Sequence, residues 1–514
     1  MGSYFTVVVD CGSTGTRVNV YEWMTGSASS MNFPLLLHSY PDNTTKSSLW
    51  KNSCQYHCMQ TEPGLDKFCG NSSGVRASLE PLIAWAEQVV PHERHGDTPI
   101  FVLGTAGLRK LAIENARRVL EDVEAVVKEH TFLYRKSWIR VLSGKEEAYY
   151  GWVALNYKMG SFRNHSRSPT LGLIDLGGSS LQVVMEIEEA RQGADMVISK
   201  IGSILMKHQI LAYSLPAFGL NEAFDRSIVM LSQAQRFRET TGKTLEVRHP
   251  CLGSDVAQNY TCSGCRRLNA TNQEILSSQP LKAVFPSLYL VGDPNWERCK
   301  ELAKAAAIKS RSLDWSQPAV GTNCKASSSS YSGSDTINST AVAHPLHARL
   351  SCFMDFFAVY SMLNLSPRAN LTKLLEEGQQ LCSRSWANSS RISRTPNYGG
   401  QYCFWVPYMA SLIEDALCLG DKEIIFGPGD VSWTLGAALV EDEKLFSRTT
   451  QAHTSISIFK NMEIMSSPVL LFVLLLCLLF ILYWTKIKLP LPSKKVAATG
   501  ESLPSYGQAK HRPN

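Results

Sequence analysis

The sequence predicts an α/β protein built from two similar halves that face one anion site, and two observations carry that prediction. The first is a repeated turn. Val7-Val8-Val9 runs into Asp10-Cys11-Gly12-Ser13-Thr14-Gly15-Thr16-Arg17, and far downstream Leu173-Ile174 runs into Asp175-Leu176-Gly177-Gly178-Ser179-Ser180-Leu181-Gln182. Each copy places an Asp at a strand end, with glycine and hydroxyl residues behind it and a second apolar run after that. The second observation is the alternation of short apolar runs with helical periodicity between the two turns, the pattern of an open sheet whose strand ends share a crevice.

In chain order, the first hairpin is followed by a Ser-, Asn- and Cys-rich stretch, Ser27 to Gly74, that reads as irregular. Val75 to Val90 has helical spacing (Leu79, Leu82, Ile83, Ala86, Val89) and stops at Pro91. Pro99 to Leu103 is a buried strand, and after Gly104-Thr105-Ala106-Gly107 one helix is expected to run to about His130. Trp138 to Leu142 is the next strand. The polar, Pro-containing Ser161 to Thr170 places the boundary between the halves, giving lobes at 5–165 and 170–430. In the second lobe the Cys-bearing Pro250 to Cys299 is an insertion and Lys325 to Thr340 a Ser-rich loop. His347 to Leu363 is expected to be a core helix from the spacing of Leu350, Phe353, Phe356, Phe357 and Tyr360. Ile424 to Phe426 is a strand, and 431–447, with Trp433 and a small-residue helix, is a closing segment that returns to the cleft. Arg448 to Lys460 is a linker.

The chain has 514 residues and a net charge of +6, which by itself hints at a polyanionic partner. Position removes that hint. Residues 485–514 hold six Lys/Arg and one acid, so the remaining 45 basic and 44 acidic residues nearly balance, and no nucleic-acid partner is expected. The basic tail, 486–514, follows an uncharged apolar run, 464–485, of the length a transmembrane helix needs. A buried core helix is the alternative. Tyr483, Trp484 and the lysines beyond them orient the span with its C-terminus in the cytoplasm. The body then lies in a lumen or outside the cell, in the Golgi, another endomembrane or at the cell surface.

Cysteines and sequons bear on the same placement. Of 14 Cys, Cys477 lies in the apolar run and Cys11 in the first turn, where it reads as an apolar filler. The other twelve (Cys54, Cys58, Cys69, Cys251, Cys262, Cys265, Cys299, Cys324, Cys352, Cys382, Cys403, Cys418) read as disulfides of an oxidising compartment, with zinc at Cys262 and Cys265 as the competing reading. Nine Asn-X-Ser/Thr sequons, from Asn43 to Asn388, agree with a glycosylated lumenal domain. Met1 opens directly into strand, so either an N-terminal segment belongs to a longer form or the C-terminal helix is the membrane signal.

Two such turns make a concave anion site from backbone N–H groups and from the hydroxyls of Ser13, Thr14 and Ser179, with Gly12, Gly177 and Gly178 admitting close approach. Asp10 and Asp175 cannot bind phosphate, but as a facing pair they can bracket a hydrated divalent cation. A turn-stabilising role is the alternative for either one alone. Arg17 is a candidate phosphate ligand or a salt-bridge residue. Hydrolysis needs a base, and Ser143-Gly-Lys-Glu146-Glu147 offers two acids. Ser143 with Glu146 is a capping box, which occupies Glu146. Glu147 is left as the candidate base at a helix start, or as an acid favoured by the helix dipole.

Five segments in order, Asp10 to Arg17, Gly104 to Arg109, Gly144 to Trp152 with Asn156-Tyr157, Asp175 to Gln182 and Trp433 to Ala437, resemble the motifs of the apyrase or nucleoside triphosphate diphosphohydrolase family and span most of residues 5 to 445. The resemblance implies a two-lobed, actin-like (ribonuclease H-like) ATPase fold that hydrolyses the terminal phosphate of nucleoside tri- or diphosphates with Ca²⁺ or Mg²⁺. It implies Glu147 as base, and Thr105, Ser180 and Gln182 as residues that place the water. Ser13, Thr14, Gly177 and Gly178 would hold phosphate, Asp10 and Asp175 the hydrated metal, and Trp433 would stand nearby. Ala148 and Leu181 depart from the family's usual Gly and Thr. A lone C-terminal helix with these motifs is similar to plant apyrases of the endomembrane type. The rivals are a non-catalytic nucleotide-binding membrane glycoprotein and a small-molecule kinase of the same fold. No protein partner is expected.

Overall fold

The computed structural model describes residues 2–25, 34–41, 59–162, 170–186, 195–201, 204–236, 244–261, 287–308, 346–350, 363, 365–366, 368, 370–387, 401–420, 422–427 and 431–442. The first glycine turn joins β1 (Gly2–Cys11) to β2 (Thr16–Thr25) as an antiparallel hairpin. Val7, Val8 and Val9 are all fully buried, as expected of a strand covered on both faces, which is why the run is continuously apolar rather than alternating. Beside β2 lies β3 (Leu35–Tyr40), with β4 (Met59–Thr61) pairing the end of β2. Beyond β1 come β5 (Ile100–Gly104) and β6 (Ile139–Val141), both parallel, in the order β3-β2-β1-β5-β6.

The second glycine turn builds the same arrangement again. It joins β7 (Gly172–Leu176) to β8 (Ser180–Glu186), with β9 (Asp195–Ile201) and β10 (Ile204–Pro216) antiparallel outside β8. On the far side of β7 lie two parallel strands, β14 (Leu346–Leu350) and β15 (Ile424–Phe426), so the order is β15-β14-β7-β8-β10-β9. A small third sheet holds β11 (Thr244–His249), β12 (Ala257–Tyr260) and β13 (Ser287–Gly292). Each large sheet thus sets an antiparallel hairpin next to two parallel strands, and both glycine turns lie at the hairpin end.

Among the described residues the α-helices are α1 (Ser72–Val89), α2 (Ala106–Arg109), α3 (Ile113–Val127), α4 (Gly144–Lys158), α5 (Leu220–Arg236), α6 (Trp296–Ile308), α7 (Leu371–Ala387), α8 (Tyr402–Ser411) and α9 (Trp433–Glu441). Helices α4 and α9 exchange partners: α4 follows the first sheet in sequence but packs on β7, β8 and β10 of the second, whereas α9 comes last and packs on β1 and β2. They cross so closely that a Cβ at Gly436 would collide with the backbone of Tyr150. Asp442, just past α9, accepts hydrogen bonds from Tyr4 (3.1 Å) and Thr6 (2.6 Å) on β1, and Thr434 bonds Tyr21 at 2.7 Å. The last described residues are therefore stitched to the first strand.

Three expectations about the elements need correction. Residues 27–74 are not wholly irregular, because β3 and β4 add to the hairpin's edge. The helix expected after Gly104–Gly107 to about His130 is broken at 110–112, where Ala112 leaves helical geometry at ψ 145° and starts a second helix. Leu346–Leu350 is a strand rather than the start of a helix, since it is paired in parallel on both sides by β7 and β15. The aromatic residues that suggested the helix, 353–360, lie outside the described residues, as do the linker 448–460, the Ser-rich loop 325–340, the apolar run 464–485 and the basic tail. Among the described residues no helix is long and apolar enough to cross a membrane.

Among the cysteines expected in disulfides, whose pairing the sequence leaves open, Cys251 pairs with Cys299 and Cys382 with Cys403, and Cys418 is also disulfide-bonded. Cys69 is not: it is a free, exposed thiol. Cys11 is free and buried, and burial beside Asp10 pushes its thiol well above the usual range, in keeping with a filler. Cys54, Cys58, Cys262 and Cys265 lie outside the described residues.

Candidate active site

One cleft is lined by Asp10, Gly12, Ser13, Thr14, Arg17, Thr105, Ala106, Glu147, Asp175, Gly177, Gly178, Ser179, Ser180, Gln182 and Trp433. Every residue expected at the site from sequence stands in this lining, and Ala106 is the sole addition. The two hairpins deliver theirs in matching register. Asp10 is the cross-strand partner of Arg17, and Asp175 that of Gln182. The partners differ in charge. Arg17 Nη1 donates to Asp10 Oδ2 at 2.8 Å, and its Nε to Gln60 Oε1 at 3.3 Å, whereas Gln182 is neutral and donates to Ser180 Oγ at 2.8 Å. Arg17 thus balances an aspartate at the cleft wall, the salt-bridge alternative read from sequence.

The second turn is seated on the start of α5. The amides of Ala217, Leu220 and Asn221 donate to the carbonyls of Ser179 (2.9 Å), Gly177 (3.0 Å) and Gly178 (2.9 Å). These bonds occupy the three carbonyls, and the Gly177 amide is itself bonded to Ser180 O at 3.0 Å, which leaves the Gly178 and Ser179 amides as the turn's candidate anion donors. The seat leaves no room for error. A Cβ at Gly219 would strike the backbone of Gly178 and Ser179, and Ala217, left-handed at φ 64°, has its carbonyl held by Arg226. Thr105 is fixed to the first hairpin, its amide donating to Cys11 O at 3.1 Å.

Glu146 and Glu147 separate cleanly. Ser143 Oγ accepts from the Glu146 amide (3.2 Å) while Glu146 Oε2 accepts from the Ser143 amide (2.8 Å), closing the capping box, and Arg140 donates to Glu146 Oε1 at 2.8 Å. Glu147 turns into the cleft and is 8% exposed. Burial pushes its carboxyl up to about 6, Arg109 opposes that shift, and Asp175 and Asp10 add to it. Arg109 Nη2 lies 2.7 Å from Glu147 Oε2, an ion pair whose angle is not that of a hydrogen bond. Arg109 also donates to Leu142 O at 3.1 Å. It was not singled out from sequence, although it ends the segment Gly104 to Arg109; the available signal was that a buried base needs a counter-cation.

The donor set suits a hard cation. Asp10, Asp175 and Glu147 bring three carboxylates to the cleft against the guanidiniums of Arg17 and Arg109. Among the described residues no group of three or more His, Cys, Asp or Glu stands close enough to hold a bare ion. Carboxylate and hydroxyl oxygens of this kind fit a divalent ion that keeps several of its waters.

Paired glycine turns and a buried carboxylate between two hairpin-bearing sheets define an actin-like nucleoside phosphatase fold, and a solved structure and curated relatives agree. A crystal structure of nucleoside triphosphate hydrolases from Neospora caninum superposes with a TM-score of 0.55, covering 90% of this chain and 95% of that one at 14% identity. The chain belongs to the GDA1/CD39 (nucleoside phosphatase) family, which matches residues 2–454. It is 36% identical to probable apyrase 7 of Arabidopsis thaliana over 485 residues, covering 93% of this chain and 62% of that protein. It is 25% identical to ectonucleoside triphosphate diphosphohydrolase 3 of Mus musculus, covering 94% and 86%. The chain therefore spans less than two thirds of the length of the Arabidopsis relative.

Proposed function

We propose that this chain hydrolyses the terminal phosphate of nucleoside tri- or diphosphates with a base-activated water. The observation that carries the reading is the convergence of both glycine turns and Glu147 on one cleft. Ser13, Thr14 and Ser179, with the Gly12 and Gly178 backbone, hold the phosphate chain, while the Gly177 amide closes the turn on Ser180 O at 3.0 Å. Glu147 removes a proton from the attacking water as its oxygen bonds to phosphorus, and the bond to the leaving phosphate oxygen breaks with its electron pair. Thr105, Ser180 and Gln182 place that water, and the Gln182 to Ser180 hydrogen bond supports their joint role. Asp10 and Asp175 would hold the waters of a Ca²⁺ or Mg²⁺ ion, which when bound neutralises phosphate charge. Trp433 walls the cleft beside them.

We propose that the catalytic body lies in a lumen or outside the cell, with the apolar run 464–485 as its membrane anchor. The disulfides support an oxidising compartment. The sequon residues Asn71, Asn259 and Asn370 are exposed, and Asn71 and Asn370 use their carbonyl oxygens as helix caps, which leaves the amide nitrogen for a glycan. A glycosidase mobility shift on the expressed protein tests this placement. Phosphate release from ATP, ADP, GDP, UDP and AMP, with Ca²⁺, Mg²⁺ or EDTA, tests the activity. Release from di- or triphosphates but not AMP, abolished by EDTA, is expected. Absence of any metal-dependent release overturns the reading.

A further inference from the structure

Lys110 follows directly on Arg109 in the first half, yet its side chain engages the second. Its Nζ donates to Ser179 Oγ at 2.7 Å and is ion-paired with Glu222 in the first turn of α5. Ser179 belongs to the second phosphate turn and lines the cleft. A lysine ammonium has donors and no acceptor, so in this bond the Ser179 oxygen can only accept. The one hydroxyl proton of Ser179 is then left for another acceptor, and the adjacent charge strengthens it as a donor.

We propose that Lys110 is a positioning residue that holds Ser179 as a hydrogen-bond donor to a substrate phosphate oxygen, with Glu222 anchoring the ammonium. The proposal rests on the phosphohydrolase reading of the cleft and goes beyond it, because it makes a hydroxyl of the second half depend on a residue of the first. Both side chains of the ion pair are mostly buried, 24% and 20% exposed, so removing one charge also costs stability, and the thermal midpoint separates that cost from function.

A double-mutant cycle tests the arrangement in the full chain with Lys110→Met, Ser179→Ala and the two combined. Two readouts are used: kcat/KM for ATP with Mg²⁺, and affinity for a non-hydrolysable ATP analogue with Mg²⁺. Each single variant is expected to lose about tenfold, the magnitude of one charge-assisted hydrogen bond. The combined variant should be no worse than Ser179→Ala alone. Lys110→Arg, which can still donate, should retain most of the function, and Glu222→Gln should show a partial loss. The thermal midpoint of each variant is read alongside. Full additivity of the two losses, or a silent Lys110→Met, overturns the proposal. Wild-type protein that binds the analogue but releases no phosphate would instead overturn the phosphohydrolase reading, and the affinity cycle would still decide the role of Lys110.

Discussion

The guanidinium of Arg109 stands 2.7 Å from the buried carboxylate of Glu147, close enough to oppose the effect of burial on that acid. A base must be deprotonated to act, and burial places the Glu147 carboxyl at about 6. kcat/KM should therefore rise as pH climbs through about 6 and level off above it. Arg109→Met removes the opposing charge, so the acid limb should move to higher pH by about 1 to 2 units. A pH profile of kcat/KM for both proteins measures the shift, and an unmoved limb would separate Arg109 from the base.

Glu146 serves the helix instead of the chemistry. Glu146→Ala removes half of the capping box and the Arg140 partner, and should cost about 1 kcal/mol of stability in urea unfolding. Turnover per folded molecule should hold. A loss of turnover as large as that of a Glu147 variant would mean that the roles are reversed.

Arg226 touches nothing in the cleft but holds the carbonyl of left-handed Ala217, from which the second phosphate turn is hung. Arg226→Met, and more severely Gly219→Ala, should displace that turn and lower kcat/KM by about 10²-fold, the scale of an ångström's misplacement. Steady-state kinetics on folded protein checks this, with Arg226→Lys as the partial rescue.

The disulfides should stabilise in proportion to the loops they close. Cys382–Cys403 spans 21 residues and Cys251–Cys299 spans 48, so replacing each pair by serine should cost about 3 and about 4 kcal/mol respectively. Denaturant unfolding of the two paired variants measures both losses, and the cleft chemistry should survive in the folded fraction.

What sequence made visible was local. Asp10 and Asp175 sit at strand ends next to glycine turns, and Ser143 lies three residues before Glu146, so chain-neighbour chemistry sufficed to place the hairpins and the capping box. Partnerships across long separations left no local trace. Arg109 meets Glu147 38 residues away, Lys110 meets Ser179 69 residues away, and Asp442 closes on Tyr4 438 residues away. Leu346–Leu350 misled for a different reason: a short strand paired on both sides needs only a short run, and the helical spacing after it outweighed that run. Cys69 shows that membership of an even cysteine set does not pair a particular thiol.

The most direct test of the account is single-turnover phosphate release from ATP with Mg²⁺ at pH 8, comparing wild type with Glu147→Gln. The account predicts a fall in rate of at least about 10²-fold with nucleotide affinity retained. Phosphate release by Glu147→Gln at the wild-type rate would contradict it.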